Sequence, residues 1–183
     1  DWLPVIDLLS KLMLLRDKGF TVDGFGETYN AVDTAFRAWT SVRYASLATT
    51  ADMNQPVMLH HIPDYVRRVS RKPAVVVIDG MSFVDWQLIR EYLADTPWTM
   101  NATAAFTFLP SVTSIARQSL FSGAVPAQNA EPFSLAKEEK QWRSYWTEHG
   151  LREDEVYFGK TDTPDIPNKV KAAGIVVNFI DDL

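Results

Sequence analysis

The segment Lys72–Ser82, with the sequence KPAVVVIDGMS, contains the clearest fold signal in the chain. Its apolar run, residues 74–78, has the length of a strand and consists mostly of β-branched side chains. A continuous run of this kind is typical of strands that are buried on both faces in parallel sheets. Asp79 and Gly80 end the predicted strand in a turn, and Ser82 begins a predicted helix that extends to about Leu93.

Strand and helix signals alternate downstream of this segment. Pro110 and Gly123 bound a predicted helix, for which Ser111 or Thr113 is the candidate N-cap. Alternation of this kind predicts an α/β fold for residues 73–183, with a parallel sheet and helices on both of its faces. The further elements predicted are a strand at 103–109, helices ending at 121 and spanning 135–148, and strands at 156–158 and 175–180.

Residues 1–72 have the pattern of a helical segment. Apolar side chains recur at helical spacing in 3–15 and 27–45, and a short helix is predicted at 63–68. The large aromatic side chains of this segment are interpreted as packing residues. The chain begins without Met in an apolar helical pattern and ends just after a strand-like run, so we expect it to be a piece of a larger protein.

Composition excludes several protein classes. Of the 183 residues, 46% are hydrophobic and 22% are charged, which is typical of a folded globular chain and not of a disordered or collagen-like one. With no Cys, the chain has no disulfide, no thiolate zinc site and no Cys nucleophile, which favours a cytoplasmic location. The net charge of −5 provides no basic field for general nucleic-acid binding. The longest apolar runs are far shorter than the roughly 20 residues that cross a bilayer.

Two polar residues are predicted to lie at the carboxyl ends of strands, where open α/β sheets form their sites. Asp79 ends the first strand, and a metal cation would balance its carboxylate; alternatively, Asp79 only turns the chain and caps the next helix. Thr113 begins a helix, where the dipole favours a phosphate or a developing alkoxide, although it could simply be a capping residue. Arg117 lies one turn along, where it could bind the same anion or be an ordinary solvated side chain.

The segment Leu109–Gly123, LPSVTSIARQSLFSG, adds a second motif about 30 residues after the first. Together the two segments resemble the PglZ domain of the alkaline phosphatase superfamily. In the phosphodiesterase and sulfatase branches of that superfamily a Gly follows the nucleophile by ten positions, as Gly123 follows Thr113 here. Sulfatases also place an Arg four residues after the nucleophile, as Arg117 is placed. The resemblance is strong from Pro73 to about Gly123 and only general from Trp142 to the end of the chain.

The resemblance implies a partial alkaline-phosphatase-like sheet with a metal-dependent site. By this likeness Asp79 is a metal ligand, Thr113 is both the catalytic nucleophile and a metal ligand, and Arg117 is catalytic. Asp181, or its neighbour Asp182, would supply another metal ligand at the end of the last strand. The superfamily uses two divalent metals, often zinc, and the matching His ligands would lie beyond residue 183.

Other residues of the same types are assigned lesser roles. Ser111 and Ser114 are the less favoured choices for the nucleophile. His60, His61 and His149 do not occupy matching positions and are interpreted as surface or capping residues. Because most of the metal ligands would be missing, we expect residues 1–183 alone to be inactive.

The implied function is that of a phosphoester hydrolase, either a phosphodiesterase or phosphatase or a nuclease, in a bacterial phage-exclusion (BREX) system. Its partners would be a phosphoester substrate, with nucleic acid or nucleotides as candidates, and other phage-exclusion proteins such as a methyltransferase, with no membrane. The alternative from another class is a non-catalytic scaffold of the same defence complex. A response-regulator receiver fits less well, because the early acidic pair and the later Lys of receivers are not found.

Overall fold

The computed structural model describes residues 2–50, 52–128, 131 and 133–178. Within them, six α-helices and three strands are formed. The helices are α1 (Leu3–Asp17), α2 (Phe25–Leu47), α3 (Ile62–Val69), α4 (Phe83–Leu93), α5 (Thr113–Ser122) and α6 (Glu138–Glu148), and the strands are β1 (Ala74–Asp79), β2 (Val156–Lys160) and β3 (Ala172–Asn178). This mixed helix and strand architecture confirms the α/β class and the helical N-terminal segment.

The chain forms two compact units. The first contains the described residues of Asp1–Leu47 and Met81–Ala104, and the second those of Ala48–Gly80 and Ala105–Leu183. Residues 48–72 therefore cluster with the sheet. The division into domains at residue 72 stays a prediction, since compactness alone does not define a domain boundary.

In the first unit, a polar network joins α1 to α4. Gln87 donates from Nε2 to Asp7 Oδ1 at 3.0 Å and to Ser10 Oγ at 2.8 Å, and Arg90 Nη1 donates to the same Asp7 oxygen at 2.7 Å. Lys11 Nζ donates to Asp7 Oδ2 at 2.6 Å. The hydrogen bonds from Lys11 and Gln87 lower the pKa of Asp7 to about 2. The charged carboxylate of Asp7 therefore helps to hold α1 and α4 together.

Three aromatic side chains of the first unit, Trp2, Phe36 and Trp39, pack on one another as predicted. The prediction does not hold for Phe20 and Tyr29, which are 61% and 44% exposed. Phe36 and Trp39 of α2 are stacked with ring centroids 6.0 Å apart, and Trp2 lies edge-on to Phe36 at 4.9 Å. Edge-to-face pairs at this separation are favourable beyond the apolar area that they bury.

The sheet of the second unit is parallel, with the strand order β1-β3-β2. Asp79 is in register with Asn178, and Lys160 with Val176. Because parallel strands run in one direction, the carboxyl ends of β1, β2 and β3 meet at one edge of the sheet. The predicted strands at 74–78 and 156–158 are confirmed; the third is observed over Ala172–Asn178, and the predicted end at Ile180 lies outside the described residues.

Helices α5 and α6 cover one face of this sheet. The core there includes Phe121 and Trp142, both fully buried, and Val176. Trp142 Nε1 donates to the backbone oxygen of Tyr157 at 3.0 Å, which satisfies its one polar group. Gly174 permits this close packing, since a Cβ there would lie 3.0 Å from the Trp142 indole nitrogen.

Two strand predictions are corrected by the structure. The segment 103–109 forms no strand: Phe106 makes an isolated bridge to Met58, and its backbone groups bond to Val57 and Leu59 instead of a sheet neighbour. Burial of β1 on both faces is also wrong, because Val76 is 54% exposed. Alternate side chains of a strand point to opposite faces, and only the face opposite Val76 is packed under α5 and α6.

Helix ends follow the predicted signals in part. Gly123 terminates α5 in the left-handed conformation, with φ of 67°, as predicted. The N-cap of α5 is Val112, without a side-chain hydrogen bond, so the prediction of a cap by Ser111 or Thr113 is wrong. The predicted helix at 135–148 is a 3-10 turn over Leu135–Lys137 that leads directly into α6. No helix within the described ranges is long and apolar enough to cross a membrane.

Candidate functional site

Asp79 is the last residue of β1 and lies at the carboxyl edge of the sheet. Gly80 follows it with φ of 78°, a left-handed conformation that lets the chain leave the sheet sharply. The Asp79 side chain is 28% exposed. It therefore stands where a ligand could reach it, at the position that the sequence predicts.

Arg117 lies on α5 and is directed to the same edge. Its side chain is only 7% exposed, and Nη1 donates to Asp79 Oδ2 at 3.1 Å. Two of the predicted site residues, 38 positions apart in the sequence, are thus brought into contact. The interpretation of Arg117 as a solvated side chain is excluded by its burial.

Glu138, the first residue of α6, is the second partner of Arg117. Its side chain is 0% exposed. Arg117 Nη2 donates to Glu138 Oε2 at 2.7 Å, while Nε lies 2.6 Å from Oε1 as a charge contact without hydrogen-bond alignment. Arg117 is therefore shared between two carboxylates, one fully buried and one partly open to solvent.

Lys160, at the end of β2, completes a cluster of four charged residues. Its Nζ lies 3.0 Å from Glu138 Oε2, and the side chain is 45% exposed. We call Asp79, Arg117, Glu138 and Lys160 the edge cluster. With two acidic and two basic side chains, the ionised edge cluster has no net charge. The attraction between its opposite charges offsets the desolvation free energy of burying Glu138 and Arg117.

Sequence reasoning missed Glu138 and Lys160. Glu138 stands in the run Lys137–Lys140, KEEK, at the start of a helix, where acidic side chains ordinarily face solvent and stabilise the helix dipole. Charged side chains are almost never fully buried unless they are paired, so the burial of Glu138 depends on a partner that is distant in the sequence. No signal in the local sequence distinguishes it from Glu139.

Thr113 is the first residue of α5 and is exposed. It lies four residues before Arg117, at the positive end of the helix dipole, where free backbone N–H groups favour an anion. Of the less favoured nucleophiles, Ser114 is buried and Ser111 is exposed. The catalytic role of Thr113 stays a prediction, as do the roles of Asp79 and Arg117.

Two of the residues predicted to bind a metal lie within the described ranges: Asp79 has a carboxylate at the sheet edge, and Thr113 has a hydroxyl at the start of α5. Both are hard oxygen donors, which magnesium, manganese and zinc all accept. Within the part of the chain that the structure describes, no group of three or more His, Cys, Asp or Glu side chains forms a metal centre. The predicted ligand Asp181, and its neighbour Asp182, lie outside the described residues.

The three histidines make contacts of their own. His60 is buried rather than at the surface, its Nε2 lies 3.2 Å from the backbone oxygen of Ala48, and burial lowers its pKa. His61 Nδ1 accepts a hydrogen bond from the backbone N–H of Met58 at 3.2 Å. His149 follows α6, with Nδ1 2.6 Å from the backbone oxygen of Tyr145.

A known protein family matches most of the second compact unit. A family model described as the BREX system PglZ alkaline phosphatase-like domain matches residues 57–183 of the 183-residue chain. The matched range contains the whole edge cluster and Thr113. Among curated proteins, no sequence match was found.

Proposed function

The chain belongs to the PglZ family of alkaline-phosphatase-like domains of the BREX system, and on this basis we propose that the complete protein is a metal-dependent phosphoester hydrolase in phage defence. The observation that carries the proposal is the hydrogen bond between Asp79 and Arg117, at 3.1 Å. It joins the carboxyl end of β1 to α5, the helix that begins at Thr113. The proposal requires the Thr113 hydroxyl to act beside the Asp79 carboxylate, and this hydrogen bond supports it by connecting the helix that begins at Thr113 to the end of β1.

In the proposed reaction, Thr113 is the nucleophile. Its Oγ1 loses a proton to solvent and attacks phosphorus in line with the leaving oxygen, so that the Oγ1–P bond forms as the bond to the leaving group breaks. The leaving oxygen departs with the bonding electron pair and takes a proton from water. Water then hydrolyses the phosphothreonine and restores the hydroxyl. The helix dipole and the free N–H groups at the start of α5 stabilise the alkoxide and the bound phosphoryl group.

Asp79 and Thr113 are the residues of this chain that would hold the cation, and Asp181 or Asp182 is proposed as a further ligand. A bound divalent metal, which we propose to be zinc with a second site in the complete domain, would lower the pKa of the hydroxyl and neutralise developing negative charge. Asp79 would hold the cation while its Oδ2 accepts the hydrogen bond from Arg117, since its side chain is still 28% exposed.

Membership of the BREX family implies that other proteins of the system are partners of the complete protein. We propose a methyltransferase among them, a nucleic acid or nucleotide as the phosphoester substrate, and a cytoplasmic location.

One observation favours a second function, that of a non-catalytic scaffold. Asp79 is already paired with a cationic side chain, and the edge cluster is neutral without a metal. A protein that uses the fold only to bind partners would show this arrangement with no metal affinity.

The test uses the full-length protein with bis-p-nitrophenyl phosphate and DNA as substrates. We expect metal-dependent turnover that a chelator abolishes and that Thr113→Ala and Asp79→Asn both lose. Thr147→Ala removes an exposed hydroxyl of the same unit and serves as the matched control, with turnover unchanged. If the protein binds no metal and all variants are equally inert, the hydrolase proposal is wrong and the scaffold function is favoured.

A further inference from the structure

Glu138 is the most deeply buried charge in the edge cluster. Its side chain is 0% exposed, and it begins α6, the helix that contributes Trp142, Tyr145 and Trp146 to the hydrophobic core. Burying an ionised group is costly unless it is paired and hydrogen-bonded. Burying a carboxylate at position 138 therefore has a free-energy cost that packing of the core does not explain.

The guanidinium of Arg117 is held from one side by Glu138. Both Glu138 oxygens lie within 2.7 Å of Arg117 nitrogens, one in a hydrogen bond and one in a charge contact. The guanidinium is planar and its N–H groups form a rigid fork. Contacts of Glu138 with Nη2 and Nε therefore fix the direction of the third nitrogen. That nitrogen, Nη1, is the one that donates to Asp79.

We propose that Glu138 is a positioning residue for the metal site at Asp79, acting only through Arg117; this inference rests on the proposed function. Glu138 restrains the guanidinium so that it contacts one oxygen of Asp79 and orients the carboxylate for a cation. In place of the anion-binding role predicted from the sequence, Arg117 is a positioning residue as well.

Loss of the Glu138 charge has a definite consequence in this scheme. Without the Glu138 carboxylate, which accepts its shorter hydrogen bond, the Arg117 guanidinium turns to Asp79. There it competes with the cation for the Asp79 carboxylate. Metal affinity then falls although no metal ligand is changed. Substitutions of residues that orient metal ligands typically cost about 10- to 100-fold in metal affinity.

A matched control exists in the same unit. Glu155 has a side chain that is 5% exposed and is paired with Lys171 Nζ at 2.6 Å and Arg152 at 3.2 Å. It immediately precedes β2, at the opposite end of that strand from Lys160. Glu155→Gln removes the same charge from a similarly buried carboxylate away from the edge cluster, although its partners Lys171 and Arg152 are 54% and 70% exposed.

The experiment measures binding of Zn²⁺ and Mn²⁺ to the full-length protein by calorimetry, with thermal unfolding of the metal-free protein as a second readout. We expect Glu138→Gln to weaken metal binding by about 10- to 100-fold and Glu155→Gln to leave it within about twofold, even where both lower the unfolding temperature. Arg117→Lys keeps the charge but loses the fork, and is expected to weaken binding as Glu138→Gln does.

Since Glu138 acts through Arg117, Glu138→Gln should weaken binding no further in the Arg117→Lys background. Wild-type metal affinity in Glu138→Gln, or in Arg117→Lys should the first variant not fold, overturns the inference while leaving the hydrolase proposal intact. Equal losses in Glu138→Gln and Glu155→Gln also overturn it, because they indicate general destabilisation. If the wild-type protein itself binds no metal, the proposed metal-dependent function is wrong, and the inference that rests on it is wrong as well.

Discussion

Replacing Arg117 by Met tests whether the edge cluster is a buried electrostatic unit. Methionine fills a similar volume but leaves Glu138, 0% exposed, with Lys160 as its remaining cationic partner in the cluster, and Lys160 is itself 45% exposed. Removing one partner of a buried ion pair typically costs about 3–5 kcal/mol in the free energy of unfolding. Because a domain of this size is stable by only about 5–15 kcal/mol, the loss should be large and easily measured.

The double variant Arg117→Met/Glu138→Met separates the lost pair from lost packing. With no orphaned buried carboxylate, it should recover most of the single-variant loss, to within about 1–2 kcal/mol of the wild type. Arg37→Met is the matched control, because Arg37 forms an ion pair with Asp33 in which the side chains are 79% and 44% exposed. That exposed pair should contribute at most about 0.5 kcal/mol.

Urea unfolding followed by tryptophan fluorescence and far-ultraviolet circular dichroism gives these free energies. The slopes of the transitions with denaturant should stay the same, so that midpoint shifts report stability. The reasoning is refuted if Arg117→Met destabilises the protein no more than Arg37→Met, or if the double variant is less stable than Arg117→Met alone.

Three further predictions concern the core, a helix end and acid stability. Gly123→Ala should lower the free energy of unfolding by about 1–2 kcal/mol, because φ is 67° and the new Cβ would lie 3.0 Å from the Tyr145 ring; urea unfolding measures this. Trp142→Phe should cost about 2–3 kcal/mol in the same assay, since it opens a cavity in the core and removes the indole N–H that donates to the Tyr157 carbonyl. The stabilisation from Asp7, whose pKa is lowered to about 2, should be complete above its unfolded pKa of about 3.9 and be lost as the pH falls to about 2. Asp7→Asn should remove this acid dependence in unfolding experiments between pH 5 and 2; an unchanged profile would contradict the assignment.

Elements with strong local signals were predictable from the sequence. The β-branched run 74–78 forms β1, and the motif that ends in Gly123 forms α5 with its predicted left-handed terminus. The segment 103–109 was not predictable in the same way. Its apolar residues permit a strand, but a strand exists only with a neighbour, and Phe106 bonds instead to the backbone of residues 57 and 59.

Some residues of the candidate site were likewise predictable from local sequence, and others were not. Asp79 and Thr113 follow from the ends of their own elements, because a strand end and a helix start are set by residues a few positions away. The pairing of Arg117 with Glu138 joins positions 21 residues apart on two different helices. Local chemistry describes Glu138 as an ordinary solvated glutamate at a helix start, and only the packing of α6 against α5 excludes water from it. A fully buried carboxylate needs a cation within hydrogen-bond distance, and that distance is a property of the tertiary structure alone.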